Sequence, residues 1–196
     1  MIDSSHHEYE HRKMINFPKV QRKDTSGERN LLTQDVFKQI VQQYIDSVYT
    51  AAFWLVGEPT VSQAVTCEVF SKIYRFGSNL KSEAEIPYWI YSFLINICKS
   101  NERKNPHMSI PKTKTMPKQL IFKWRKNPRW IRVFFKEFFQ FSLNQRVVFF
   151  LKEIQELSFP EISNLLGRDL EELQVDLLDV QKKIMRALSG ETFEPV

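Results

Sequence analysis

Glycine is scarce in this chain, with five in 196 residues. There is no Gly-rich loop to cradle a phosphate and no His-Glu-x-x-His pair, so nucleotide hydrolysis and zincin chemistry have no sequence basis. The four histidines are His6, His7, His11 and His107, all in polar or Pro-rich stretches. His6, His7 and His11 stand beside Glu8 and Glu10 at spacings a metal would accept, but the stretch reads as a polar tail and no metal is expected. Cysteine is nearly absent. Cys67 and Cys98 lack the spacing of a metal site or a disulfide framework, and they read as buried thiols in a reducing compartment. The longest nearly apolar run, Trp89 to Cys98, is too short to span a bilayer. The polar N-terminus has no apolar export signal, so a cytoplasmic protein without membrane insertion is expected. No nucleophile stands beside an ordered base, so no enzyme and no cofactor is expected.

What is present is helical periodicity and unevenly placed charge. Residues 99–132 carry eleven basic residues against one acidic, whereas residues 133–196 carry seven basic and eleven acidic. A concentrated basic stretch suits a polyanionic partner. Few strand-like alternations appear, so the expected class is all-α: two small helical domains joined by a basic linker, the second a four-helix domain with a helix-turn-helix. The expected boundaries are a mobile tail over 1–33, a helical domain over 34–104, a basic linker over 105–129 and the second domain over 130–190.

In the first domain Thr33 is placed to cap a helix with Val36, Ile40, Tyr44, Val48, Ala51 and Leu55 on one stripe. Gly57-Glu58-Pro59 ends it. A second helix runs from about Thr60 to Arg75, broken by Gly77-Ser78-Asn79. A third begins near Ser82 or Glu85 and runs to about Lys104, with Ile86, Trp89, Ile90, Phe93, Leu94 and Ile97 apolar. Three prolines among lysines mark the linker. The second domain starts near Trp130. Val147, Val148, Leu151 and Ile154 form one buried face; Ser158 and Glu161 make a capping box; Gly167 stops a short helix. Asp169 is placed to cap the last helix, with Leu170, Leu173, Leu177, Val180 and Ile184 inward. Glu172, Val175, Asp176 and Asp179 face the other way.

The order of these parts resembles a known family. Gly57-Glu58-Pro59 through Glu68-Val69-Phe70, with Ile73-Tyr74-Arg75, is similar to the second conserved region of bacterial RNA polymerase sigma factors (the sigma-70 family). The likeness is closest to the small two-domain extracytoplasmic-function (ECF) group. Ile86-Pro87-Tyr88-Trp89-Ile90-Tyr91, with Asn96 and Arg103-Lys104, resembles the following helix of that region. Leu157-Ser158-Phe159-Pro160-Glu161-Ile162 through Leu165-Leu166-Gly167 resembles the family's last helix-turn-helix. The likeness covers about residues 34–104 and 136–188.

The resemblance implies a sigma factor that binds core RNA polymerase and directs promoter DNA recognition, with an anti-sigma protein as a further implied partner. It assigns polymerase contact to Gln63, Ala64, Cys67 and Glu68. On the minus-ten side it assigns Tyr91, Asn96, Lys99, Arg103 and Lys104, and on the minus-thirty-five side Arg168, Gln174, Lys182 and Lys183. For the basic end of that third helix, helix-dipole stabilisation is the ordinary alternative. The linker adds Lys123, Arg125, Arg129 and Arg132 as nucleic-acid or polymerase contacts, or as solvated charge beside docked aromatics. The chain also departs from the family. The usual acidic run of the second helix is Val61-Ser62-Gln63-Ala64-Val65-Thr66-Cys67-Glu68 here. The usual Thr, Lys, Ser and Arg of the last helix are Glu, Gln, Val and Asp, which oppose phosphate. A sigma-like interaction protein without promoter reading is therefore the alternative expectation.

Overall fold

A computed structural model describes residues 32–77, 80, 82–104 and 128–190. Among them there are seven α-helices and no strand. The first three are α1 (Gln34–Val56), α2 (Pro59–Phe76) and α3 (Ile86–Lys104), the last preceded by a 3-10 turn at Glu83–Glu85. Then come α4 (Pro128–Phe138), α5 (Leu143–Phe149, running on into a π turn at Phe150–Ile154), α6 (Phe159–Leu166) and α7 (Leu170–Ser189). No described helix is long and apolar enough to cross a membrane.

The caps follow local chemistry. The Thr33 hydroxyl accepts from the Val36 N–H at 3.3 Å. The carboxylate of Glu58 accepts from the Val61 N–H at 2.6 Å and so starts α2 with Pro59 in its first turn. Ser158 and Glu161 form the expected reciprocal capping box on α6. A second box, Ser142 with Gln145, starts α5 and was not anticipated. Asp169 occupies the N-cap of α7 but makes no side-chain cap bond, contrary to expectation.

Helix α1 explains how the core is shared. Its last seven residues, Thr50 to Val56, are all buried. A helix that is apolar all round must be covered all round. The expected single stripe accounts only for the side facing α2 and α3. The other side is covered by α5 and its π turn, which also reach α3. Trp54 is the centre of that contact, with ring centroids 5.9, 5.2, 5.4 and 6.5 Å from Phe134, Phe135, Phe138 and Phe150. Gly57 takes a left-handed φ of 73°, and a Cβ there would lie 2.7 Å from the Phe139 ring. The corner after α1 therefore needs glycine both for its backbone and for the aromatic ring above it.

The last helices pack as the periodicity predicts, with one exception. Leu173, Leu177, Val180 and Ile184 are buried, but Leu170 is 43% exposed. It lies at the first position of α7, before the helix has turned fully onto α4 and α5. The cysteines also divide: Cys98 is buried, whereas Cys67 is exposed on α2, correcting the expectation of two buried thiols.

Candidate functional site

Three surfaces hold the residues singled out in the sequence. On α2, Gln63, Ala64, Cys67 and Glu68 are all exposed and share one strip at spacings of one, four and five. The opposite side of the helix buries Ser62, Val65, Thr66 and Val69. Its polar members satisfy themselves locally: the Ser62 hydroxyl donates to the Glu58 carbonyl at 2.7 Å, and Thr66 Oγ1 donates to the Ser62 carbonyl at 2.7 Å. Burial pushes the Glu58 carboxyl up, but hydrogen bonds from the Val61 and Thr60 backbone and the Thr60 side chain outweigh it and leave the group below its ordinary range.

On α3, Asn96 and Arg103 are exposed and Lys99 is half-buried, again along one strip. The Lys104 side chain lies outside the described residues. Tyr91 is placed differently. It is fully buried, and its hydroxyl donates to Oε1 of Gln155 across the π turn. Burial, with a smaller contribution from Tyr44, holds its hydroxyl well above the usual tyrosine range. In this arrangement Tyr91 offers no surface to a base. Trp89 is half-buried and lines an open cavity of about 440 Å³ with Phe76, Tyr88, Ser92 and Phe93.

The third surface is the turn between α6 and α7. Gly167 adopts φ 64°, and Ser163 fixes the turn by donating to the Arg168 carbonyl at 2.7 Å. Arg168 is 3.3 Å from Glu172 and 2.8 Å from Asp176, the latter a charge contact without hydrogen-bond alignment. Lys183 lies 3.0 Å from Asp179, which also accepts from Gln145 Nε2 at 2.9 Å. Gln174 and Lys182 are exposed. Of the linker positions, Arg132 is exposed on α4; Lys123, Arg125 and the Arg129 side chain lie outside the described residues, as do His6, His7 and His11. Among the described residues no group of three or more His, Cys, Asp or Glu could hold a metal.

The residue that sequence reading missed is Arg146. It is 2% exposed. Its guanidinium donates to the carbonyls of Leu55 (Nη1) and Phe141 (Nε, 3.2 Å), pairs with Glu102 at 3.0 Å, and lies 5.5 Å from the Phe139 ring centroid. Burial lowers its affinity for the proton, and the nearby Glu102 carboxylate opposes that. It therefore ties α5 to the ends of both α1 and α3. The signal was available: Arg146 lies between Leu143, Val147 and Phe150 on the buried side of α5, where a charge requires a partner.

No protein-family model matches the chain, and no curated protein is detectably similar to it.

Proposed function

We propose that the chain is a divergent sigma factor of the ECF type, binding core RNA polymerase and directing promoter recognition. One observation carries the reading. The C-terminal helices cover α1 and the Tyr91 side of α3, yet leave uncovered the α2 strip of Gln63, Ala64, Cys67 and Glu68 and the α3 strip of Asn96, Lys99 and Arg103. These are the positions that the sequence resemblance assigns to polymerase and to the minus-ten element. The α3 strip supplies a hydrogen-bonding amide and two cations, the chemistry of an unpaired base and its phosphates. On this reading α1–α3 and α4–α7 are the two domains of the family, the second containing its helix-turn-helix.

A second reading is favoured by α7. Arg168 and Lys183 already face carboxylates, and Glu171, Glu172, Asp176 and Asp179 dominate the first half of the helix. Such a surface repels phosphate. It suits a sigma-like regulatory protein that binds polymerase or another regulator without reading a promoter.

The test is reconstitution with core RNA polymerase from the native host. The sigma reading expects a stoichiometric complex that starts specific transcripts, weakened about tenfold or more by Gln63→Arg with Glu68→Arg. A complex without specific transcripts on any genomic promoter leaves the second reading. No complex at all sinks the polymerase-binding proposal. Asp176→Arg with Asp179→Arg should raise DNA affinity and steepen its salt dependence if the α7 face approaches DNA.

A further inference from the structure

Eight large apolar side chains are exposed among the described residues, and four of them, Leu170, Val175, Leu178 and Met185, lie on α7. Val175, Leu178 and Met185 are 68%, 49% and 67% exposed. They are spaced by three and seven residues, with Lys182 between, so they share one strip opposite the buried Leu173, Leu177, Val180 and Ile184. An apolar strip at heptad-like spacing is the usual docking face of a helix for another helix.

Charge along the same helix is segregated. Asp169 to Asp179 holds five carboxylates and no cation; Val180 to Ser189 holds Lys182, Lys183 and Arg186 and no carboxylate. The macrodipole accounts for charges in the first and last turns. Within the chain Arg168 holds Asp176, and Lys183 and Gln145 hold Asp179; neither these contacts nor the macrodipole accounts for the three exposed apolar residues.

We propose that the outer face of α7 docks against the same face of a second copy of this chain, with the two helices antiparallel. Antiparallel pairing lays the acidic half of each helix beside the basic half of the other, twice, as a two-fold axis requires. Parallel pairing would set like charges side by side. With the axis level with Val180, Val175 of each copy meets Met185 of the other, and Leu178 lies along the aliphatic stem of Lys182. The twenty-residue helix is about 30 Å long, enough for several turns of contact. The inference is independent of polymerase binding through the α2 strip, which lies on a different element, but the dimer covers Lys182 and so excludes promoter contact by that residue while it persists.

Sedimentation equilibrium of the full chain tests it, with circular dichroism to check that each surface variant is folded. The wild type should form a dimer. Glu171→Lys with Glu172→Lys cuts the acidic half of α7 from five net negative charges to one, and Lys182→Glu with Arg186→Glu turns the basic half net acidic. Each double variant alone should dimerise at least about tenfold more weakly, a change of about 1.4 kcal/mol. An equimolar mixture of the two should recover the dimer, because their charges again complement one another. A monomeric wild type overturns the proposal. So does a wild-type dimer that neither double variant weakens, which would place the contact on another surface or partner segment, or a mixture that fails to recover.

Discussion

Arg146 and Arg168, both in the C-terminal half, each lie within 3.3 Å of a glutamate, Glu102 on α3 and Glu172 on α7, but Arg146 is 2% exposed and Arg168 keeps 23%. Arg146 also donates to two backbone carbonyls, one on α1. Its contacts cross from one set of helices to the other. Those of Arg168 stay within the α6–α7 turn and the first turns of α7. In the seam the charge is desolvated and each donor matters, because no water replaces a lost partner. At the turn water competes with every contact. The same residue type is thus a structural tie in one region and a solvent-screened neighbour of carboxylates in the other.

The largest effect is expected at the apolar centre of the seam. Trp54→Ala should cost about 4 kcal/mol, the usual range for deleting a large buried aromatic, read as a lower urea midpoint. A loss under about 1 kcal/mol would mean that α1 and the Phe134–Phe150 cluster do not share a core in solution. Arg146→Met follows at about 3 kcal/mol, since each buried acceptor left without a donor costs about 1–3 kcal/mol. Glu102 reaches water, being 36% exposed, and adds less. An unchanged unfolding midpoint for Arg146→Met would dissolve the contrast with Arg168.

Cys98 sharpens the comparison, because it reports the seam chemically. Burial pushes its thiol from 9.0 up to about 12, with the Arg146 charge pulling the other way and Glu102 and Glu68 adding to the rise. The folded value is above the unfolded one. The neutral thiol's contribution is therefore fully present below pH 9 and is lost as pH rises toward 12. The slope is about 1.4 kcal/mol per pH unit. Urea unfolding at pH 8, 9 and 10 should show a shallower decline for Cys98→Ala than for wild type. A thiol reagent at pH 8 should modify exposed Cys67 quickly and Cys98 only on unfolding. Fast modification of both would mean that the seam opens freely.

The difference between the two regions also explains what was legible beforehand. Helix ends and stripes were readable because they depend on local chemistry: Thr33, Gly57, the Ser158–Glu161 box and Gly167 all act within a few residues of themselves. Leu170 was misread because periodicity counts it on the stripe while its end position leaves it uncovered. The burial of Tyr91 was hidden because it depends on Gln155, 64 residues away, and periodicity carries no long-range pairing. Arg146 belongs to the same class, reaching Leu55 over 91 positions. The exposed α2 and α3 strips were legible as helical faces; that the C-terminal helices would leave both uncovered was not.

The smallest effect is expected where the sequence resemblance places promoter contact. Arg168→Ala removes two charge contacts, but Glu172 is 60% exposed and the arginine itself is part-solvated. Exposed pairs contribute about 0–1 kcal/mol and weaken with salt, so the change in unfolding free energy should stay below about 1 kcal/mol and shrink further at high ionic strength. The result matters in both directions. A small loss means that Arg168 is held by carboxylates without stabilising the turn much, so a phosphate can compete for it at little structural cost. A loss as large as that of Arg146→Met would make Arg168 a structural tie and withdraw it from the set of candidate DNA contacts.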